Sequence, residues 1–163
     1  MKVFVQRVRE KTSIHSRSSD FSESSSFEGP GLVVLLGWEK QDEFDLDALE
    51  VREKWILEHV RGLRIFPDRA DKMNLNLADY MAQESLEEGG ILWVPQFTLA
   101  AELKSGFRPS FTKAMDPKFA KERFEALKAK CLLEKPVYKQ LFGVFAADME
   151  LRFLNWGPVS IPL

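Results

Sequence analysis

One cysteine, Cys131, and two histidines, His15 and His59, are all that these 163 residues offer toward disulfides or zinc ligation. A lone thiol excludes a disulfide scaffold and points to a reducing, cytoplasmic setting. Both histidines lie far from Cys131 in sequence, so no zinc spacing is present, and neither a metal nor a cofactor is expected. Long apolar runs are also missing. The longest, Leu32 to Trp38, is far short of the roughly 20 residues that cross a bilayer. The opening Met-Lys-Val-Phe-Val alternates instead of forming a secretory leader, so no membrane association is expected. There is no G-x-S-x-G elbow, no phosphate-binding glycine loop, no G-x-G-x-x-G and no H-E-x-x-H. The carboxylate pairs Asp42-Glu43 and Glu87-Glu88 fall in polar turns, where solvated charge is the ordinary use.

What is there describes an ordinary globular chain: 45% hydrophobic and 29% charged residues, with no internal repeat and no linker, hence one domain over residues 1–163. The net charge of −2 is unevenly spread. Residues 101–140 hold ten basic and five acidic side chains, a local excess of +5, against −7 for the remainder. Such a basic third is either a solvated helix face or a surface for phosphates.

Periodicity places the elements. Lys2 to Val8 alternates and reads as a strand. Thr12 to Phe27 carries eight serines, whose hydroxyls compete for backbone hydrogen bonds, so it reads as a poorly specified hairpin or a mobile loop. Leu32–Gly37 reads as a buried strand after the Gly29-Pro30-Gly31 turn. Asp45–Val60 reads as a helix with Leu46, Leu49, Trp55, Ile56 and His59 or Val60 inward. Leu63–Phe66 reads as a short strand, followed by a polar connection through Met73–Asn76, then a buried strand at Ile91–Val94. Asp116-Pro117 starts a second helix that runs to about Leu133, with Phe119 or Ala120, Phe124, Leu127 and Cys131 inward. Cys131 is thereby a core thiol, and the histidines belong to the surface or to helix packing. Three short strands, Leu141–Phe145, Asp148–Leu154 and Val159–Pro162, close the chain. The expected class is α+β: a curved mixed sheet or partial β-barrel with two main helices outside.

Two segments are not explained by core packing. In Val94-Pro95-Gln96-Phe97-Thr98-Leu99 a strand stops at proline and then presents an amide, an aromatic ring and a hydroxyl. It continues into a basic, glycine-bearing loop, Lys104-Ser105-Gly106-Phe107-Arg108-Pro109-Ser110-Phe111. The other segment is Asn155-Trp156-Gly157-Pro158-Val159-Ser160, where Gly-Pro by itself is an ordinary turn. With Val5-Gln6-Arg7-Val8, Gly31–Gly37, Leu63–Asp68 followed by Lys72-Met73-Asn74, and Gly143–Met149, these stretches stand in one order along nearly the whole chain. In that order they resemble the D-aminoacyl-tRNA deacylase family.

The resemblance implies hydrolysis of the ester that joins a D-amino acid, or glycine, to the terminal adenosine of tRNA, by a homodimer whose site is completed across the subunit interface. It implies a cis Gly157-Pro158 peptide with carbonyls directed into the partner's pocket, and Arg7 bracing them. Gln96, Phe97 and Thr98 then line the adenosine and ester, with Met149 and Phe145 beside them. Among these catalytic candidates Thr98 is either a nucleophile or a group that positions water or the ribose hydroxyl; positioning is favoured, since no base is visible to activate it, and the adenosine 2′-hydroxyl assists. Lys104, Arg108 and Lys113, with the basic helix beyond, then face acceptor-stem phosphates. Pro95 stands where the family usually has serine, and a sister group acting on L-alanyl-tRNA has proline there. Two alternatives follow: a deacylase of relaxed chirality, and a tRNA-binding dimer without hydrolysis.

Overall fold

A computed structural model describes residues 1–104 and 106–163; Ser105, in the basic loop singled out above, lies outside the described residues. Among the described residues, eight strands and three α-helices follow one another as β1 (Lys2–Arg17), β2 (Ser22–Phe27), β3 (Gly31–Gly37), α1 (Leu46–Gly62), β4 (Phe66–Pro67), β5 (Met73–Leu75), α2 (Leu77–Gln83), β6 (Gly90–Pro95), α3 (Pro117–Leu133), β7 (Lys139–Phe142) and β8 (Asp148–Pro162). The main sheet runs β2-β1-β3-β6-β7, with β8 on the free side of β1. It is mixed: β1 is antiparallel to β2, β3 and β8, while β3, β6 and β7 are parallel. Strand β1 is long enough to serve two neighbours on one side, β3 with its first half and β2 with its second. The sheet curls until β2 touches β7, giving the partial barrel expected of an α+β chain.

Strands β3 and β6 pair in parallel at the middle of the sheet with both faces covered, which is why they read as continuous aliphatic runs. On one face Val5, Leu32, Val34, Leu36, Ile91 and Trp93 pack against α1, α2 and α3. On the other face Val8, Ile14, Phe27, Val33, Leu92 and Val94 form a second core, closed over by Leu35, Leu141, Met149, Leu151 and Phe153, which remain half-buried.

The helix starts follow their caps. Asp45 accepts a hydrogen bond from the Ala48 N–H at 2.9 Å, and Asp116 accepts from the Lys118 N–H at 2.9 Å with Pro117 in the first turn. The inward face of α1 is Leu49, Glu53, Ile56, Leu57 and Val60, so Leu46 and Trp55 are not core residues as their spacing suggested. Trp55 instead stacks on His59 at 3.7 Å between ring centres. In α3 it is Ala120, not Phe119, that turns inward beside Phe124, Leu127 and Cys131. Cys131 is fully buried, and desolvation pushes its thiol up to about 11. Alkylation by iodoacetamide at pH 8 is therefore expected to be at least tenfold slower in the native protein than in urea, measured by mass spectrometry.

Five other readings are narrowed or corrected. The serine-rich stretch is an ordered hairpin, because Ile14 and Phe27 bury on one face while β1 is paired along both edges. Helix α2 occupies part of the supposed polar connection, capped by Asn76, whose side chain accepts from the Asp79 N–H at 2.9 Å. Around residue 65 only Phe66–Pro67 forms a strand, and β7 ends at Phe142 instead of Phe145. Finally, Asp148–Pro162 is one strand, not two separated by a Gly-Pro turn. Gln6 pairs with Ser160 and Val8 with Asn155, so Trp156–Val159 bulges out opposite the single residue Arg7.

Candidate active site at the end of strand β6

Pro95 ends β6, and the Gln96 N–H donates to the Leu36 carbonyl of β3 at 2.6 Å, so the chain leaves the sheet at a defined point. Phe97–Ala100 then winds into a single 3-10 turn whose first N–H groups have no partner within the turn. The Gln96 side-chain amide donates to Thr98 Oγ1 at 2.5 Å, leaving the threonine proton free to be donated onward. Phe97 and Thr98 are exposed, and Gln96 is half-buried.

Beside this turn lies an apolar cavity of about 240 Å³, lined by Leu36, Gly37, Trp38, Pro95, Gln96, Phe97, Met115, Pro117, Ala120, Phe145 and Ala146. Gly143 shapes this end of the sheet. A Cβ there would meet Met149 Sδ at 2.8 Å and Pro95 Cδ at 3.1 Å, so bare backbone is what lets the β7–β8 turn approach β6. Ala146, on the cavity wall, holds φ +61°, a left-handed conformation that costs a residue bearing a Cβ. The structure thus brings together Gln96, Phe97 and Phe145 around one cavity, with Thr98 adjoining and Met149 touching the Gly143 turn.

Arg7 lies elsewhere. Its guanidinium is buried between the β8 bulge and the segment after α1. Nε donates to the Trp156 carbonyl at 3.1 Å, Nη1 donates to the Ile65 carbonyl at 2.5 Å, and the group lies 4.2 Å from the centre of the Trp156 ring. Burial pulls its pKa below the usual arginine range. Trp156 is further packed by Phe66 and Tyr80, with ring centres at 6.2 and 5.7 Å. The Gly157–Pro158 peptide bond is cis, and both residues are exposed. Gly157 holds φ +124°, and a Cβ there would meet Val159 Cγ2 at 2.8 Å and Arg7 Nη2 at 3.1 Å, so only glycine fits.

Of the proposed phosphate contacts, Lys104 and Lys113 both pair with Glu102, at 3.0 and 2.8 Å, and that pairing holds the Glu102 carboxyl below its usual range. Arg108 is exposed and makes no ion pair among the described residues. Trp38, Met115 and Ala146 were not picked out as cavity residues from the sequence. Their only signal was apolar character, which core packing already explains.

A family model described as D-Tyr-tRNA(Tyr) deacylase matches residues 4–163. A D-aminoacyl-tRNA deacylase of Haemophilus influenzae is 43% identical over 134 residues, 81% of each chain, and one of Photobacterium profundum is 42% identical over 132 residues, again 81% of each. Among solved structures, a c-Myc DNA unwinding element binding protein superposes with a TM-score of 0.73 at 28% identity, covering 100% of this chain and 97% of that one. A probable eukaryotic D-amino acid tRNA deacylase shares the fold, with a TM-score of 0.68 at 14% identity and coverage of 100% and 99%. The family model runs from residue 4 to residue 163 and the relatives reach 43% identity over 81% of this chain, so the chain belongs to the D-Tyr-tRNA(Tyr) deacylase family.

Proposed function

We propose that this chain hydrolyses D-aminoacyl-tRNA, and glycyl-tRNA with it, in the cytoplasm, where charged tRNA is used. The observation that carries the reading is the Gln96–Thr98 turn opening onto an apolar cavity. The terminal adenosine enters that cavity with its base against Phe97 and Phe145, which puts the ester over the turn. Unpaired N–H groups at the start of the turn face the carbonyl and stabilise negative charge as it develops on the oxygen. Thr98 positions the substrate and does not attack it: its oxygen already accepts from Gln96, and neither histidine lines the cavity. Water adds to the acyl carbon, the bond to the ribose oxygen breaks, and that oxygen takes the proton, with the neighbouring 2′-hydroxyl assisting.

Handedness is read by a second copy of the chain. The bulge that carries Gly157 and Pro158 is exposed, and Leu35, Leu141, Met149, Leu151 and Phe153, which close over the second core, stay only half-buried in the single chain, both of which suit a homodimer. Lent to the partner's site, the Gly157 and Pro158 carbonyls accept from the substrate α-ammonium. A D side chain then points to open space and an L side chain into the carbonyls. Rejection of the wrong hand, not preference for a side chain, gives the selectivity. Arg108 is the best candidate for a phosphate contact, as Lys104 and Lys113 are already paired.

Pro95 favours a second reading. It is buried, with its ring against Gly143, and it supplies neither a hydroxyl nor an N–H at the rim, which suits a deacylase of relaxed chirality. Release rates from D-tyrosyl-, L-tyrosyl-, glycyl- and L-alanyl-tRNA decide. Release of D-tyrosine and glycine at least a hundredfold faster than L-tyrosine and L-alanine is expected. Comparable release of L-alanine supports the second reading, and binding without turnover leaves only a tRNA-binding dimer.

A further inference from the structure

Next to the adenosine cavity, and sharing Phe97, Met115 and Pro117 with it, runs a wider groove of about 600 Å³. Its walls are aromatic: Phe97 and Phe111 meet edge to face at 5.0 Å, and Phe119 at the start of α3 is half exposed. Exposed phenylalanine rings, Phe119 in the first turn of α3 and Phe97 and Phe111 beside it, are costly in water, and nothing among the described residues covers them. The charges at the groove are limited. The Glu43 carboxylate accepts from the Asp116 N–H at 2.8 Å and the Asp116 carboxylate caps α3, so both are engaged. Lys40 lines the groove and makes no ion pair among the described residues. Rings with two engaged carboxylates and a lysine suit flat, uncharged faces joined by a sparse chain of negative charge, not a stretch of duplex backbone.

We infer that this groove binds the unpaired ribonucleotides that precede the terminal adenosine. Their bases lie against Phe111 and Phe119, and a phosphate sits near Lys40. The inference deepens the proposed function and rests on it for direction: with the last base in the smaller cavity, the strand leaves past Phe97, the ring that borders both spaces. Successive unstacked bases need successive apolar faces, and the groove provides them without reading base edges, so contact here is tolerant of sequence.

Calorimetric titration of the full chain with the ribotrinucleotide CCA and with adenosine 5′-monophosphate tests this without any hydrolysis. CCA is expected to bind about tenfold or more tightly, the scale of stacking one further base on an aromatic ring. Phe119→Ala and, separately, Phe111→Ala are expected to bring that ratio to within about threefold of unity, the two variants guarding against loss of either fold. Lys40→Gln is expected to lower the salt slope of CCA binding by about one. Equal affinity of the two probes for the unaltered chain overturns the inference, as does a ratio that survives both phenylalanine substitutions. So does sedimentation showing that Phe119→Ala dissociates a dimer while the ratio holds, which makes the groove a self-contact. Failure to hydrolyse D-tyrosyl-tRNA with the CCA preference intact rejects the function and leaves the groove standing.

Discussion

Arg123→Ala is expected to destabilise the fold by about 3–5 kcal/mol, roughly 10 °C or more in melting temperature for a chain of this size. Glu53 on α1 has no solvent exposure at all. Its carboxylate accepts from Arg123 Nε at 3.0 Å and from Arg123 Nη2 in a two-pronged pair, and from the Trp38 indole N–H at 3.0 Å. Removing the guanidinium leaves a charge in a dry interior, with only Lys130 Nζ, 4.0 Å away, to offset it among the described residues. The pair itself is worth far less than its rupture. Replacing both members by apolar residues, as in Glu53→Leu with Arg123→Met, is expected to recover most of the loss, because nothing charged is then stranded. Urea titration followed by tryptophan fluorescence measures all three proteins. Arg123→Ala within about 1 kcal/mol of the unaltered chain would show that the buried charge is neutralised in another way. The pair also bears on the site, since the indole it holds forms one wall of the apolar cavity beside Gln96 and meets Phe124 edge to face at 6.3 Å.

Arg7→Met is expected to erase most of the preference for D- over L-tyrosyl-tRNA, at least tenfold, while costing about 2–3 kcal/mol of stability. The guanidinium ties two carbonyls that belong to distant parts of the chain, Trp156 and Ile65, and its face covers the Trp156 ring. Methionine fills similar space but donates nothing, so both buried carbonyls lose their partner and the bulge that carries Gly157 and Pro158 loses its orientation. Arg7→Lys is expected to rescue stability better than selectivity, because one ammonium lacks the planar fork that reaches both carbonyls while covering a ring. A loss of stability in Arg7→Met with selectivity untouched would separate the arginine from chiral discrimination and leave it a structural residue. Measuring release rates on both substrates alongside a melting curve distinguishes the two outcomes.

Local signals carried a good part of this protein. Asp45 and Asp116-Pro117 announced helices that do begin there, and the aliphatic runs at Leu32–Leu36 and Ile91–Val94 are the two strands with both faces covered. Cys131 sits in the core where the spacing of α3 put it. The ordered series of short motifs was enough to reach the family. Each of these depends on residues within a few positions of one another, or on a pattern of identities that needs no geometry.

Elsewhere the decision lay between residues far apart in the chain. Serines discourage regular structure locally, yet β1 continues through them because β2 and β8 satisfy its backbone on both edges. Gly-Pro reads as a turn, yet the strand passes through it as a bulge because Arg7, on the neighbouring strand, fills the space opposite. Glu53 reads as one more charge on a helix surface until Arg123, from another helix, and Trp38 meet it inside. The cavity beside Gln96 belongs to no single segment: β3, β6, the Gly143–Ala147 turn and α3 each lend a wall. Composition and short-range pattern decide which elements form, since a cap or an alternating strand is stabilised by its own neighbours. Which charge is buried, which strand continues and where a cavity opens depend on the balance of desolvation against pairing, and only the partners brought close by folding set that balance.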